Sequence, residues 1–284
     1  MEYQVTQRNY RYIEAYPIAG GLGAEINGLD LTQILAPEKV AEIHQAFLDY
    51  LVIFFCDQQL TPGDQLAFAQ QFGHPMPYPQ MKGLPECPLV TAVTKLEHER
   101  VNFGGVWHSD TTYLPQPPMA SLLYAVQVPP YGGDTIFANQ YLAYESLSSG
   151  LKKTLNNLVA VNTSTKAEVS RTRENRLRDA GVELKVLSAA HPVIRTHPET
   201  GRQVLYVNKA HTTHFQGWTE QESQPLLGYL FEHQVKPEFT CRFRWRQGCL
   251  ALWDNRCAQH NPVNDYPGFR RIMHRITLAG SQPN

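Results

Sequence analysis

VWHSDT at residues 106–111 and WDNRCAQH at residues 253–260 are the two stretches around which we expect this chain to fold. The first places an imidazole and a carboxylate two residues apart, and the second adds a distant imidazole after an apolar run. Side chains two apart in a strand point the same way, so His108 and Asp110 can aim at one point from a strand end. Two His and one carboxylate with open positions is the arrangement of non-haem Fe(II) oxygenases. The residues therefore predict that His108, Asp110 and His260 bind Fe(II).

Other interpretations of these residues stay open at the level of the sequence. A zinc-dependent hydrolase can also use two His and an Asp with an open position. His260 can also be a hydrogen-bonded core histidine. A non-catalytic jelly-roll binding protein is the other competing class. Cys257 beside His260 suggests zinc, but no second Cys–His pair accompanies it, so a small packed residue is the better interpretation.

Three arginines follow His260, and their spacing separates them into two sets. In a strand Arg271 and Arg275 share a face, while Arg270 opposes them. Two cations on an inward face are costly unless they meet anions. The planar guanidinium fork grips a carboxylate at two points, so one of the two can hold a 2-oxo acid beside the metal and the other an anionic substrate. The alternative is a pair of surface arginines.

The composition excludes several functional classes. The chain has 284 residues, 42% of them hydrophobic, which suits one large domain with a full core. A net charge of -1 argues against binding to nucleic acid or to a membrane surface. The apolar run at 51–56 is too short to span a bilayer, and residues 1–4 show no signal-peptide pattern. Five cysteines without paired spacing predict reduced thiols in a cytoplasmic protein.

Hydrophobic periodicity predicts a mainly β protein with flanking helices (α+β) and a jelly-roll double sheet. Helices are predicted after Pro37 and Thr61, over 141–147 and 150–158, and after the capping box at Thr219. Strands are predicted at 51–56, 119–126, 135–138, 203–207, 240–245, 249–253 and 272–278. Residues 162–190 are strongly charged and indicate either a solvated helix face or a mobile lid over the site.

The chain resembles the TauD/TfdA family of Fe(II)- and 2-oxoglutarate-dependent dioxygenases. The resemblance runs from about Pro17 to Ala279 and is most specific at WHSD (107–110), YGGDT (131–135), WDNR (253–256) and RRIMHR (270–275). It implies a double-stranded β-helix (cupin-like) in a single domain over residues 1–284. It also implies that His108, Asp110 and His260 are the iron ligands, that Thr135 and Arg271 bind 2-oxoglutarate, and that Arg275 lies near a substrate anion.

The same resemblance implies a reaction and its participants. Fe(II), 2-oxoglutarate and O2 would together hydroxylate a C–H bond of a small anionic substrate, such as a sulfonate, sulfate ester, aryloxy acid or amino-acid derivative, and release succinate and CO2. A dimer or tetramer would be usual. Tyr78 matches a substrate-facing tyrosine of the taurine enzymes, but Pro75 falls near the position of their sulfonate-binding histidine. Gly104 and Gly105 replace a family asparagine, although Asn102 is close by. Tyr78, Asn102 and Thr111 are the expected substrate-lining residues beside Arg275, and Phe103 is a further candidate.

Overall fold

An eight-stranded sheet forms one wall of the protein in the computed structural model, which describes residues 8–79, 81–166 and 185–284. Its strands are β1 Glu14–Pro17, β2 Ala24–Asn27, β3 Val52–Phe55, β4 Pro75–Met76, β5 Thr91–Lys95, β6 Ala120–Gln127, β14 Leu250–Asp254 and β16 Arg271–Leu278. Their order in the sheet is β1-β2-β3-β14-β6-β16-β4, and β5 also pairs with β16. All of these pairings are antiparallel except that of β2 with β3.

Three smaller sheets complete the β structure. The first has the order β13-β7-β15 and consists of β7 Thr135–Asn139, β13 Thr240–Phe243 and β15 Ala258–Pro262. The second has the order β12-β8-β9 and consists of β8 Val159–Thr163, β9 Ser188–Pro192 and β12 Thr212–Phe215. The third pairs β10 Ile194–Thr196 with β11 Gln203–Leu205. These strands make the predicted mainly β, jelly-roll architecture.

Strand β3 shows why the core has two layers. All four of its residues are buried, as its unbroken apolar run predicts. Ile53 and Phe55 pack into a cluster that includes residues of the helices α1 (Pro37–Tyr50) and α2 (Pro62–Gln70). Val52 and Phe54 belong to a second cluster. In that second cluster the Phe54 ring stacks on Phe243, with centroids 3.7 Å apart, and so joins the large sheet to the sheet of β7, β13 and β15.

Each helix begins within one residue of the start that the sequence predicts. They are α1 Pro37–Tyr50, α2 Pro62–Gln70, α3 Gln140–Glu145, α4 Ser149–Leu155 and α5 Glu220–His233, with a 3-10 turn at Pro237–Phe239. Capping boxes at Thr61 and Thr219 close the first turns of α2 and α5. None of the helices in the described ranges combines the length and apolarity that a membrane span requires.

One expectation is contradicted by the structure, and another falls mostly on residues that the structure does not describe. The structure joins Cys56 to Cys249 in a disulfide, so the prediction of reduced thiols is wrong for this pair. The two residues flank the paired positions Phe55 and Leu250 of β3 and β14, a cross-strand closeness that a separation of 193 residues in the sequence conceals. The predicted lid at 162–190 lies mostly outside the described residues; at its two ends, β8 and β9 pair with each other.

Candidate metal centre

Three side chains from distant parts of the chain converge on one point. A potential ligand atom from each of His108, Asp110 and His260 lies within 4.8 Å of the other two. The Nε2 atoms of His108 and His260 lie 3.5 Å and 3.9 Å from Oδ1 of Asp110. All three residues are buried. The structure therefore brings together the ligand set that the sequence predicts.

The backbone around the two histidines explains this convergence. His260 belongs to β15, and His108 forms an isolated antiparallel bridge with it. His108 and Asp110 do not lie in a regular strand, because His108 forms this single bridge and the chain turns directly after Asp110. Thr111 has a φ of 43°, and its carbonyl accepts a hydrogen bond from Leu114 N at 2.9 Å. A turn of this kind suits a site that must direct two side chains at one point.

Each imidazole can, in its neutral form, direct a ring lone pair at the site. The Val106 carbonyl lies 2.6 Å from Nδ1 of His108 and can only accept, so Nδ1 donates to it and the neutral tautomer of this ring has its lone pair on Nε2. Burial, reinforced by the nearby His108, lowers the pKa of His260 well below its ordinary value. Neutral imidazoles are the form that binds metal ions.

The two oxygens of Asp110 differ in what they contact. Oδ2 accepts a hydrogen bond from Ser121 Oγ at 2.6 Å and forms an ion pair with Arg275. Oδ1 is buried and has no hydrogen-bond partner among the described residues. Burial opposes ionisation, but the adjacent Arg275 guanidinium holds the pKa of Asp110 well below its usual range. An ionised oxygen without a donor therefore faces the Nε2 atoms of two imidazoles.

That donor set fits Fe(II). An anionic oxygen buried without a donor is costly unless a cation reaches it. Two neutral imidazole nitrogens and one carboxylate oxygen match the facial triad of non-haem iron oxygenases, which leaves half of an octahedral shell open.

Arg271 and Thr135 border the same cavity as His108 and His260. Arg271 is buried, and its Nε and Nη2 atoms have no hydrogen-bond partner in the part of the chain that the structure describes. Thr135 Oγ1 accepts from Trp245 Nε1 at 2.9 Å, which leaves its own proton to donate. Burial lowers the pKa of Arg271, consistent with a guanidinium that lacks a close anion. The pair thus offers an unsatisfied guanidinium and a hydroxyl donor beside the candidate metal ligands.

Arg275 also borders the cavity, but it is already engaged. Besides its ion pair with Asp110, its Nη2 donates to Ser121 Oγ at 3.2 Å. Its Nε has no hydrogen-bond partner among the described residues, and its Cζ lies 4.5 Å from the ring centroid of Tyr78. Tyr78 in turn contacts Phe103 of the cavity wall edge-to-face, with ring centroids 6.4 Å apart.

The remaining two predicted substrate residues lie in different surroundings. The Asn102 side-chain amide directs its hydrogens to the carbonyls of Pro262 and Val263 at 3.3 Å and 3.0 Å. Its Oδ1 accepts from Tyr266 at 2.7 Å, so this side chain ties its loop to the protein. Thr111, the next residue after Asp110 in the sequence, is buried, and its hydroxyl has no hydrogen-bond partner within the described ranges.

Sequence reasoning missed Ser121, the role of Asn255, and the tight fit at Gly104. Ser121 and Asn255 are fully buried and hydrogen-bonded to each other at 3.0 Å. A lone serine within the apolar pattern of β6 was the available signal for Ser121. A Cβ on Gly104 would lie 3.1 Å from Cε1 and 3.4 Å from Nε2 of His108, so this glycine leaves room for the imidazole.

A second group of ligand-type residues lies at His197, Asp254 and Cys257. Its carboxylate is already satisfied: Oδ2 of Asp254 lies 3.0 Å from His197 Nε2 and 2.7 Å from Arg256 Nη2. Burial raises the pKa of the Cys257 thiol well above its usual value, so the thiol stays protonated. The zinc interpretation of Cys257 therefore finds no support in its surroundings.

Known proteins resemble this chain over nearly its whole length. It is 35% identical to an alkylsulfatase of Acinetobacter baylyi, with 96% of this chain and 87% of the relative covered. It is 34% identical to an alpha-ketoglutarate-dependent sulfate ester dioxygenase of Pseudomonas putida, with coverage of 95% and 91%. Alpha-ketoglutarate is another name for 2-oxoglutarate.

A solved structure agrees with these relatives. A putative alpha-ketoglutarate-dependent taurine dioxygenase from Burkholderia xenovorans superimposes with a TM-score of 0.83 at 37% identity, covering 95% of this chain and 94% of that one. The family model described as taurine catabolism dioxygenase TauD, TfdA family, matches residues 14–277. The chain therefore belongs to the TauD/TfdA family and is an Fe(II)- and 2-oxoglutarate-dependent dioxygenase.

Proposed function

We propose that His108, Asp110 and His260 hold the iron and that Thr135 and Arg271 hold 2-oxoglutarate. One observation carries this assignment. The unsatisfied Oδ1 of Asp110 faces two imidazole nitrogens, and the unsatisfied Nε and Nη2 of Arg271 border the same cavity. A metal ion would neutralise the unsatisfied carboxylate oxygen, and a dicarboxylate would pair with the unsatisfied guanidinium in the same cavity.

Other residues around the proposed metal site would bind 2-oxoglutarate and exclude water. Arg271 would grip the distal carboxylate of 2-oxoglutarate through its fork, and the Thr135 hydroxyl would donate to the same group. The apolar side chains of Leu123, Phe137 and Trp253 wall the cavity and exclude water from it. When bound, Fe(II) supplies O2 activation coupled to decarboxylation of 2-oxoglutarate, and the outcome is hydroxylation of a substrate C–H bond with release of succinate and CO2.

For the primary substrate we propose a small organic anion with an apolar body. The free Nε of Arg275 offers a buried cationic donor, and Tyr78 covers the face of that guanidinium. Phe103, Val93 and Leu123 provide apolar contact in the same cavity. Sulfate esters are the first compounds to test, since two relatives carry names that refer to them.

The assignment can be tested by binding and by turnover. Adding 2-oxoglutarate to the anaerobic Fe(II) protein should change its visible absorption, and uncoupled conversion to succinate should follow when O2 is admitted. A panel of alkyl sulfates, sulfonates and aryloxy acids should then raise succinate release. A zinc hydrolase has no use for Arg271 and Thr135 beside the metal, so absence of both the spectral change and succinate would overturn the proposal.

We also propose that the enzyme works in the cytoplasm as a homo-oligomer, with a small molecule as its substrate. The location is tested by cell fractionation, in which the protein should be recovered together with cytoplasmic marker enzymes. Its recovery in a non-cytoplasmic fraction or in the culture medium would overturn this part of the proposal. Light scattering of the purified protein should give twice or four times the chain mass of 32.2 kDa.

A further inference from the structure

The carboxylate of Asp110 is held unevenly by its neighbours. Ser121 donates to Oδ2 at 2.6 Å, and Arg275 forms its ion pair with the same oxygen. Oδ1 receives no hydrogen bond from the described residues. Both Asp110 and Ser121 are essentially inaccessible to solvent, so water does not even out the difference.

Two donors, from Asn255 and Arg275, fix the direction in which the Ser121 hydroxyl donates. A hydroxyl has one proton and two lone pairs. Asn255 Nδ2 donates to Ser121 Oγ at 3.0 Å, and Arg275 Nη2 donates to it at 3.2 Å. With both lone pairs used, the remaining proton is directed at Oδ2 of Asp110.

Asn255 is linked to Asp110 both by a direct hydrogen bond and through Ser121. Its Oδ1 accepts from Trp253 Nε1 at 2.9 Å and from the backbone N of Asp110 at 3.3 Å. Two donors on one atom identify that atom as the oxygen, so Nδ2 is the atom that donates to Ser121. Asn255 therefore holds the backbone of Asp110 directly and its carboxylate through Ser121.

We infer that Ser121 and Asn255 are positioning residues that limit Asp110 to binding the metal through Oδ1 alone. The inference rests on the proposed function, in which Asp110 is a ligand. A carboxylate that bound through both oxygens would occupy one more position of the metal shell. 2-Oxoglutarate needs two of the open positions and O2 needs another, so a second aspartate oxygen would compete with them.

The test uses Co(II) as a spectroscopic probe of coordination and calorimetry of 2-oxoglutarate binding to the Co(II)-loaded protein. Ser121→Ala should still bind Co(II), but with an altered visible spectrum before 2-oxoglutarate is added. Its affinity for 2-oxoglutarate should fall at least tenfold. Ser121→Cys, which keeps a weak donor, should recover part of both properties.

Ser223→Ala is the matched control. Ser223 is equally buried, donates to Thr219 O at 2.8 Å and accepts from Phe215 N at 3.1 Å, and lies in α5. It should lose stability without any change in the Co(II) spectrum. If Ser121→Ala does not fold, Asn255→Ala is measured in the same assays, with the same spectral change expected.

The outcomes separate this inference from the proposed function. If the wild-type protein binds Co(II) and 2-oxoglutarate and the Ser121 and Asn255 variants match it in spectrum and affinity, the positioning role is refuted and the ligand assignment stands. If the wild-type protein binds neither, both are refuted.

Discussion

The backbones of His108 and His260 are hydrogen-bonded to each other in both directions. His260 N donates to the His108 carbonyl at 2.8 Å, and His108 N donates to the His260 carbonyl at 3.1 Å. The imidazole centroids are consequently 4.1 Å apart. Because the bridge uses main-chain atoms, the spacing of the two proposed ligands is set by the fold itself.

Arg271→Lys should weaken 2-oxoglutarate binding by about 10- to 100-fold, because a lysine replaces a bidentate fork with a point charge. The measurement is calorimetry on the Mn(II)-loaded protein. Arg270→Lys is the matched control, since Arg270 points away from the site and pairs with Glu97 at 3.0 Å. Equal affinity of both variants for 2-oxoglutarate would remove Arg271 from the proposed role.

Gly104→Ala should weaken Mn(II) binding, because the added Cβ would press on the ligand edge of the His108 ring and metal sites tolerate displacements of only about 0.5 Å. A φ of 73° at this residue adds a folding cost of roughly 1–2 kcal/mol. Electron paramagnetic resonance of free Mn(II) gives the affinity, and thermal unfolding gives the stability.

Gly105→Ala is the control that separates the contact with His108 from the general effect of replacing a loop glycine by alanine. A Cβ there would meet Asn102 atoms at 3.6 Å and 3.7 Å, which is ordinary contact. Its metal affinity should match that of the wild type. A Gly104→Ala protein with unchanged Mn(II) affinity would contradict the close fit described above.

The metal-free protein should lose stability as the pH falls below about 6.5. Burial lowers the pKa of both His191 and His233, so the folded state keeps them neutral while the unfolded chain takes up protons. Stability from these groups is therefore present above the unfolded pKa and is lost as the pH falls towards the folded pKa. Urea unfolding between pH 7.5 and 5.5 measures the slope.

His233→Gln should reduce that slope, whereas His98→Gln, at an exposed position, should leave it unchanged. A slope that is equal in wild type and His233→Gln would show that this buried imidazole does not contribute.

Reduction of the Cys56–Cys249 disulfide should lower the free energy of unfolding by about 2–4 kcal/mol. The bond closes a long loop across β3 and β14, and its loss frees the unfolded chain. Denaturant midpoints with and without a thiol reductant give the difference. The double variant Cys56→Ser/Cys249→Ser should show the lower midpoint in both conditions, and sensitivity of that variant to reductant would point to another cause.

Much of the scaffold could be predicted because its signals are local. The apolar run of β3 and the capping boxes at Thr61 and Thr219 identify their elements from neighbouring residues alone. The alternation of Arg270, Arg271 and Arg275 also correctly separated the exposed arginine from the two buried ones.

Other features depend on which strands become neighbours and in which register. Ser121 meets Asn255 only because β6 pairs with β14, and Cys56 meets Cys249 only because β14 pairs with β3. No local pattern carries that information. The turn after Asp110 was missed because Thr111 is a β-branched residue, which rarely takes a positive φ.

The engagement of Arg275 with Asp110 has a consequence for the formal charge of the cavity. Two guanidinium ions, Arg271 and Arg275, and a divalent metal ion would face a single aspartate there. Dianionic 2-oxoglutarate reduces this positive excess but leaves one charge uncancelled. A substrate with a single negative charge brings the sum to zero, so the cavity should discriminate against neutral analogues and dianions of the same shape because each leaves a net charge away from water.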